Sequence, residues 1–183
     1  MEYNQSNNKI ALTLVFTCMT SALALGQCNA TKVDYDPVDL SEMTSFQKEK
    51  TEVESSDNYI DLFYLAIGVD ATAYRLVVNE NGSYKLTKST KERSVTEIRS
   101  GILKPADIEK LKNTNIAGAT NYLAKCKGVT SFESAELFLV KKVGLLKIYS
   151  LDGELERTLK ESKEVHGFAY CLELLNCLIL KKE

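Results

Sequence analysis

The sequence predicts an α+β fold with antiparallel β-meanders, a short central helix and a C-terminal amphipathic helix packed on one sheet face. Three observations lead to this prediction. Aromatic and β-branched segments come in two groups, at residues 59–103 and 135–159. A short helical segment follows the first group, and a longer one ends the chain. Strands that follow one another in runs favour antiparallel pairing over the strand–helix alternation that builds parallel sheets.

The first group predicts four strands and the short helix. The segment "NENG" at residues 79–82 is a turn signal, so the strands on either side of it, "AYRLVV" and "SYKLTKS", form a hairpin. A strand at residues 58–68 precedes this hairpin, and another at residues 94–103 follows it. In residues 104–113, Pro105 falls in the first turn of a helix, where its missing N–H costs nothing.

The second group predicts further strands, with turns at Val143-Gly144 and Asp152-Gly153. The last segment predicts an amphipathic helix with Ser162 as its N-cap and lysines at its C-terminal end. Its apolar residues recur at spacings of three and four: Phe168, Cys171, Leu172, Leu175, Leu178 and Ile179.

The amino-terminal residues predict a signal peptide over residues 1–27. A polar start that ends on Lys9 precedes 17 uncharged residues, from Ile10 to Gly26, with small residues towards the end. A helix of this length would span about 25 Å, which is shorter than the roughly 30 Å hydrocarbon core of a membrane. We therefore expect the chain to be exported and this segment to be cleaved.

The end of the apolar run, Leu25-Gly26-Gln27-Cys28, resembles the lipobox of bacterial lipoprotein signal peptides. The resemblance implies that Cys28 becomes the first residue and is acylated, which would anchor the protein to a membrane. Two alternatives remain open. Cleavage at Ala22-Leu23-Ala24 or after Gly26 would give an ordinary secreted or periplasmic chain, and an uncleaved segment would itself be the anchor.

Residues 28–57 predict an acidic flexible tether, and residues 58–183 a single α+β domain. Residues 29–58 carry 3 basic and 8 acidic side chains, a net charge of −5, whereas residues 59–183 carry 19 and 16, a net charge of +3. A segment rich in charged and hydroxyl side chains and poor in aliphatic ones buries little apolar surface against its chain entropy.

The number of cysteines limits the disulfides to one if Cys28 is acylated and to two if it is not. Cys171 lies on the apolar face of the last predicted helix and Cys177 on its polar face, and two residues six apart on a helix cannot bond each other. A bridge between Cys126 and Cys171 is therefore the favoured pairing, and the alternative is that both are buried thiols that pack as small apolar side chains. Without the lipid, Cys28 is free to join a second bridge.

The chain lacks recognisable catalytic and cofactor motifs. His166 is the single histidine, and on a helix it would lie about 16 Å from Cys177, too far for a catalytic pair. No glycine-rich phosphate loop is present, and Asp34, Asp36 and Asp39 lack the glycine and distal glutamate of a calcium loop. The basic residues are scattered, so we expect no nucleic acid partner. Because the motifs above are missing, we also expect no cofactor and no metal.

These observations predict a non-catalytic binding or accessory protein of the cell envelope. It would reach the membrane through lipid on Cys28 and bind an unknown protein partner. The alternative is a secreted inhibitor of an extracytoplasmic protease. In that case the hairpin loop at residues 79–82 would occupy the cleft of its target.

Overall fold

The computed structural model describes residues 27–68, 70–91, 93–114, 116, 118–127 and 134–181. Within these residues one sheet has eight strands: β1 Cys28–Val33, β2 Ile60–Ile67, β3 Thr72–Val78, β4 Ser83–Thr90, β5 Arg93–Ile102, β6 Ala119–Cys126, β7 Ala135–Lys141 and β8 Leu145–Ser150. The same residues form α1 Thr44–Glu54, α2 Pro105–Lys112, α3 Leu155–Glu161 and α4 Ala169–Leu180, with a 3-10 turn at His166–Phe168. The predicted α+β class is confirmed. The predicted signal peptide, apart from Gln27, lies outside the described residues.

The strands lie in the order β1-β6-β8-β7-β2-β3-β4-β5. Each neighbouring pair is antiparallel except β6 and β8, which run parallel. β2 to β5 form a meander, and a tight turn at residues 79–82 joins β3 to β4, as predicted. In this turn the Asn79 N–H donates to the Ser83 carbonyl oxygen at 2.9 Å, and Gly82 has a φ of 81°, which favours glycine.

Alternate residues of the central strands face two separate apolar cores. Leu62 and Phe138 belong to the first core, together with apolar residues of α2, α3 and α4. Their chain neighbours Phe63 and Leu137 belong to the second core, which α1 covers from the other side of the sheet. The C-terminal helix therefore packs on one face as predicted, while α1 forms an additional layer on the opposite face.

The prediction of a flexible tether over residues 28–57 is wrong, because this segment is part of the folded domain. Its first residues form β1, which pairs with β6 at the edge of the sheet. Leu40, Phe46 and Val53 are fully buried in the second core. Three large apolar side chains are enough to hold an otherwise polar segment, since the sheet supplies the rest of the apolar surface.

The prediction of a strand beyond the Asp152-Gly153 turn is also wrong. Residues from Leu155 onwards form α3, in which Leu155 and Leu159 are buried at a helical spacing of four. Ser162 ends α3 instead of beginning the last helix, which starts at Ala169 after the 3-10 turn.

Polar contacts add to the apolar packing of α1. The Ser89 hydroxyl donates to Glu49 Oε2 at 2.5 Å, and Lys50 Nζ lies 2.6 Å from Asp36 Oδ2. Burial raises the pKa of Glu49, against the lowering effects of the Ser89 hydrogen bond and of the nearby Arg75. The ionised form of Glu49 is therefore less favourable in the folded protein than in the unfolded chain.

We expect Glu49→Gln to raise the free energy of unfolding at pH 7 by up to about 1 kcal/mol. The amide keeps an oxygen for the Ser89 hydroxyl and removes the buried charge. The folded state binds more protons than the unfolded chain above pH 4.5, so the stability of the wild type should fall as pH rises through the raised pKa. Denaturant unfolding at a series of pH values measures both effects.

The matched control is Glu97→Gln, because Glu97 is exposed and its pKa is lowered by Lys85. This variant should give no gain in stability at pH 7. An unchanged pH dependence in Glu49→Gln would contradict the prediction.

Candidate functional site

Cys28 and Cys126 form a disulfide between the paired strands β1 and β6. Both cysteines are buried, and they are 98 residues apart in the chain. The predicted bridge between Cys126 and Cys171 is therefore wrong. Cys171 is a free buried thiol, and its Sγ lies 3.8 Å from Thr114 Oγ1. The pairing of β1 with β6, which places Cys28 opposite Cys126, joins segments almost one hundred residues apart and leaves no local signal in the sequence.

The disulfide uses the sulfur atom that lipidation of Cys28 would modify. One sulfur cannot carry both bonds, and in this structure it is bonded to Cys126. The backbone N–H of Cys28 also donates to Glu161 Oε2 at 3.0 Å. With this bond formed, the Cys28 sulfur is not available for the predicted lipid. A disulfide of this kind is typical of proteins in oxidising compartments.

The residues considered for nucleophilic or acid–base chemistry do not come together in a site. His166 is exposed, and its Nδ1 lies 2.9 Å from the carbonyl oxygen of Lys163. Cys177 is an exposed free thiol on α4. Glu156 is exposed in the first turn of α3.

The acidic residues that suggested a calcium loop are also dispersed. Asp36 pairs with Lys50, and Asp39 accepts the Ser41 N–H at 2.8 Å. Among the described residues, no group of three or more histidine, cysteine, aspartate or glutamate side chains is arranged to hold a metal ion. These carboxylates position the segment between β1 and α1.

Exposed apolar side chains gather at the opposite edge of the sheet. Among the described residues, the large apolar side chains that are exposed are Tyr35, Val95, Ile98, Ile102, Val143 and Leu180. Val95, Ile98 and Ile102 all belong to β5, and Leu180 ends α4 beside it. Ile102 and Leu180 are 78% and 77% exposed. Apolar side chains concentrated in this way are a feature of interaction sites.

A groove between α2 and α4 begins where β5 ends. It has a volume of about 380 Å³, and Ile102, Tyr170 and Cys177 are among its lining residues. The Tyr170 hydroxyl donates to Asp107 Oδ1 at 2.8 Å, which joins α4 to α2. Burial and the Asp107 carboxylate raise the pKa of Tyr170, so its hydroxyl remains a hydrogen-bond donor. We call this cleft the α2–α4 groove.

The mouth of the α2–α4 groove is basic. Lys104 and Lys181 line it, are exposed, and have no ion-pair partner among the described residues. Arg99 of β5 donates to the carbonyl oxygen of Lys181 and brings a third cation to this side. The acids of the lining are Glu173, which is exposed, and Asp107, which is half-buried and bound to the Tyr170 hydroxyl.

β5 is the last strand in the sheet, so one side of its backbone faces away from the other strands. The Leu103 N–H donates to the Gly82 carbonyl oxygen at 2.9 Å, and Lys85 lies opposite Ser100. Hydrogen-bonded and non-hydrogen-bonded pairs alternate in an antiparallel ladder. The backbone N–H and C=O of Ser100 and Ile102 therefore point to the open edge. We call residues 98–102 of β5, Leu180 and the α2–α4 groove together the corner surface; Val95 lies on the α1 face of the sheet, beside Glu49 and Arg75.

The corner surface could be predicted only in part from the sequence. The strand, the short helix and the last helix that build it were all expected, but nothing in the sequence placed β5 at an edge. Its exposed side chains resemble those of a buried strand, because the pattern of apolar residues does not show which strands have two neighbours.

No protein-family model matches the chain, and no curated protein matches it at a significant level. Within the ranges that the structure describes, none of the helices has the length and apolar character needed to cross a membrane.

Replacing Cys28 and Cys126 together by alanine should lower the free energy of unfolding by on the order of 4 kcal/mol, because the bridge closes a loop of nearly one hundred residues. Denaturant unfolding without reductant measures the loss. Cys177→Ala, which removes an exposed free thiol, should leave the stability unchanged.

Alkylation gives an independent check of this pairing. In denaturant without reductant, Cys171 and Cys177 should react, while Cys28 and Cys126 should react only after reduction. Alkylation of Cys126 before reduction would show that the bridge is absent.

Proposed function

We propose that the protein is an exported, non-catalytic binding protein whose partner docks on the corner surface. Export is supported by the signal-peptide pattern of the sequence and by the disulfide between Cys28 and Cys126. The observation that carries the proposed binding role is the clustering of exposed apolar side chains on β5 and at the end of α4.

The composition of the corner surface fits a protein partner. Apolar side chains at the centre of a patch exclude water when a partner packs on them, and charged side chains at its rim steer the approach. Ile102 and Leu180 would supply the apolar part, and Lys104 and Lys181 the charged rim. Tyr170 adds an aromatic ring of the type that is enriched in interfaces.

The polar contacts across the α2–α4 groove are also consistent with a binding role. Asp107 already accepts the hydroxyl of Tyr170, and Lys110 Nζ lies 4.7 Å from the centre of the Tyr170 ring. These contacts hold α2 and α4 in fixed positions. A groove with fixed walls loses little conformational entropy when it binds.

Site-specific photo-crosslinking in the producing cells tests this proposal. A photo-reactive amino acid in place of Ile102 or Leu180 should cross-link to the same partner protein. The matched control is the same amino acid in place of Tyr35, which is 58% exposed and follows β1 at the other edge of the sheet. Equal cross-linking from Tyr35, or none from Ile102 and Leu180, would overturn the proposal.

The inhibitor alternative is favoured by one observation, the rigidity of the hairpin loop at residues 79–82. Ser83 donates to Asn81 Oδ1 from its N–H and its hydroxyl, at 2.9 and 2.7 Å, and Gly82 packs against Ile108 of α2. A loop held in one conformation binds a cleft at a low entropic cost.

If the chain is an inhibitor, Asn81→Ala should reduce protease inhibition by about tenfold or more, since it removes the contacts that hold the loop. Inhibition assays against extracytoplasmic proteases measure this loss. Thermal unfolding in parallel shows whether the fold is kept. Full inhibition by a correctly folded Asn81→Ala protein would exclude this loop.

A further inference from the structure

We infer that the partner adds a strand to the open edge of β5, through an extended segment with alternating apolar side chains and a carboxylate-bearing end that reaches the α2–α4 groove. The inference rests on the proposed function, since it specifies the partner that the corner surface accepts. It adds the mode of binding and the chemistry of the bound segment.

The two edges of the sheet are treated differently by the fold. At β1, the backbone N–H of Cys28 donates to Glu161 and that of Ala30 donates to Ser162 Oγ at 3.0 Å. Side chains from α3 and from the residue that follows it therefore satisfy two of the outward N–H groups of this strand, those of Cys28 and Ala30. At β5, no hydrogen bond among the described residues engages the outward backbone groups of Ser100 or Ile102.

An open edge offers a row of donors and acceptors that an extended peptide can match with its own backbone. Such pairing is independent of sequence, so its selectivity comes from side chains that enter neighbouring pockets. The α2–α4 groove lies directly beyond Ile102 and supplies such a pocket. Backbone pairing along β5 and side-chain insertion into the groove would thus occur together.

The bulge in β5 limits where pairing is regular. The register between β4 and β5 shifts twice. Between Leu86 and Thr87, Ile98 is the extra residue between Glu97 and Arg99, and a second shift lies between Lys88 and Thr90. Bulges interrupt the ladder and hinder uncontrolled pairing along an edge. The stretch from Arg99 to Ile102, next to the groove, remains regular. This favours a short strand from another protein over pairing with β5 of a second copy along its whole length.

Charge complementarity identifies the end of the bound segment. Lys104 and Lys181 line the groove, and Arg99 lies beside Lys181. The acids of the lining are the exposed Glu173 and the half-buried Asp107, whose carboxylate already accepts the Tyr170 hydroxyl. Arginine and lysine at a binding surface favour carboxylates, whether from acidic side chains or from a chain terminus. The bound segment should therefore carry its negative charge next to the groove and its apolar side chains along β5.

Selection of random seven-residue peptides displayed on phage, against the folded disulfide-bonded protein, tests the inference. Enriched peptides should combine β-branched or aromatic residues at alternate positions with aspartate or glutamate. Their affinity should fall about tenfold or more in Lys104→Glu combined with Lys181→Glu. Absence of enrichment, or enrichment of basic sequences, would overturn the inference.

The backbone requirement is tested with Ser100→Pro, which places a proline ring on the open edge and removes no hydrogen bond to β4. Binding of the selected peptides should be lost, whereas the matched variant Ser100→Thr, which keeps the N–H, should bind within about twofold of the wild type. Peptides methylated on alternate backbone nitrogens provide a second test that leaves the protein unchanged. They too should lose binding.

The outcomes separate the inference from the proposed function. The binding role would stand if Ile102 and Leu180 cross-link to one partner. Strand addition would nevertheless be excluded if the selected peptides still bind after Ser100→Pro and after methylation of their backbone. If neither Ile102 nor Leu180 cross-linked, the binding role itself would be excluded.

Discussion

The position of β1 at the edge of the sheet, fixed by the Cys28–Cys126 bridge, determines how the rest of the domain is layered. β1 pairs with β6, and the next strand in the chain, β2, lies four positions further along the sheet. At about 4.8 Å per strand the connection must cross about 19 Å. It does so over the face opposite α2, α3 and α4, and the 11 residues of α1 account for about 16 Å of that path. The second core exists because of this crossing.

The crossing segment is held by two kinds of contact that differ in strength. Phe46 and Val53 bury apolar surface, which is the main source of stability, while the ion pair of Lys50 with Asp36 must first offset the cost of desolvating Lys50. Glu49, whose pKa is raised by burial, shows that some polar groups under α1 are tolerated instead of stabilising. Polar groups in this position restrict how α1 can pack. The Cys28–Cys126 bridge holds β1, from which the chain leads into α1, in place.

The parts of the fold that depend on local sequence were predictable, and those that depend on distant contacts were not. The turn at residues 79–82, the strands around it and the start of α2 at Pro105 follow from short-range rules of turn and helix geometry. β1, α1 and the bridge between Cys28 and Cys126 depend on β6, almost one hundred residues away in the chain. The average composition of residues 28–57 is that of a tether, because only five of these thirty residues are buried apolar ones: Cys28, Ala30, Leu40, Phe46 and Val53. The open edge of β5 was also unpredictable, because its position at the edge depends on how distant strands pair.

The contrast between the two edges links the fold to the proposed binding role. An exposed strand edge promotes uncontrolled association, and proteins usually cover it, shorten it or interrupt it. Here β1 is short, and Glu161 and Ser162 accept the outward N–H groups of Cys28 and Ala30. β5 has ten residues, exposed apolar side chains and a regular open stretch from Arg99 to Ile102 beside the groove, and its register shifts lie at Ile98 and earlier in the strand. A fold that protects one edge and leaves a restricted part of the other open is suited to select one kind of strand, because a partner must satisfy both the backbone of β5 and the groove to bind.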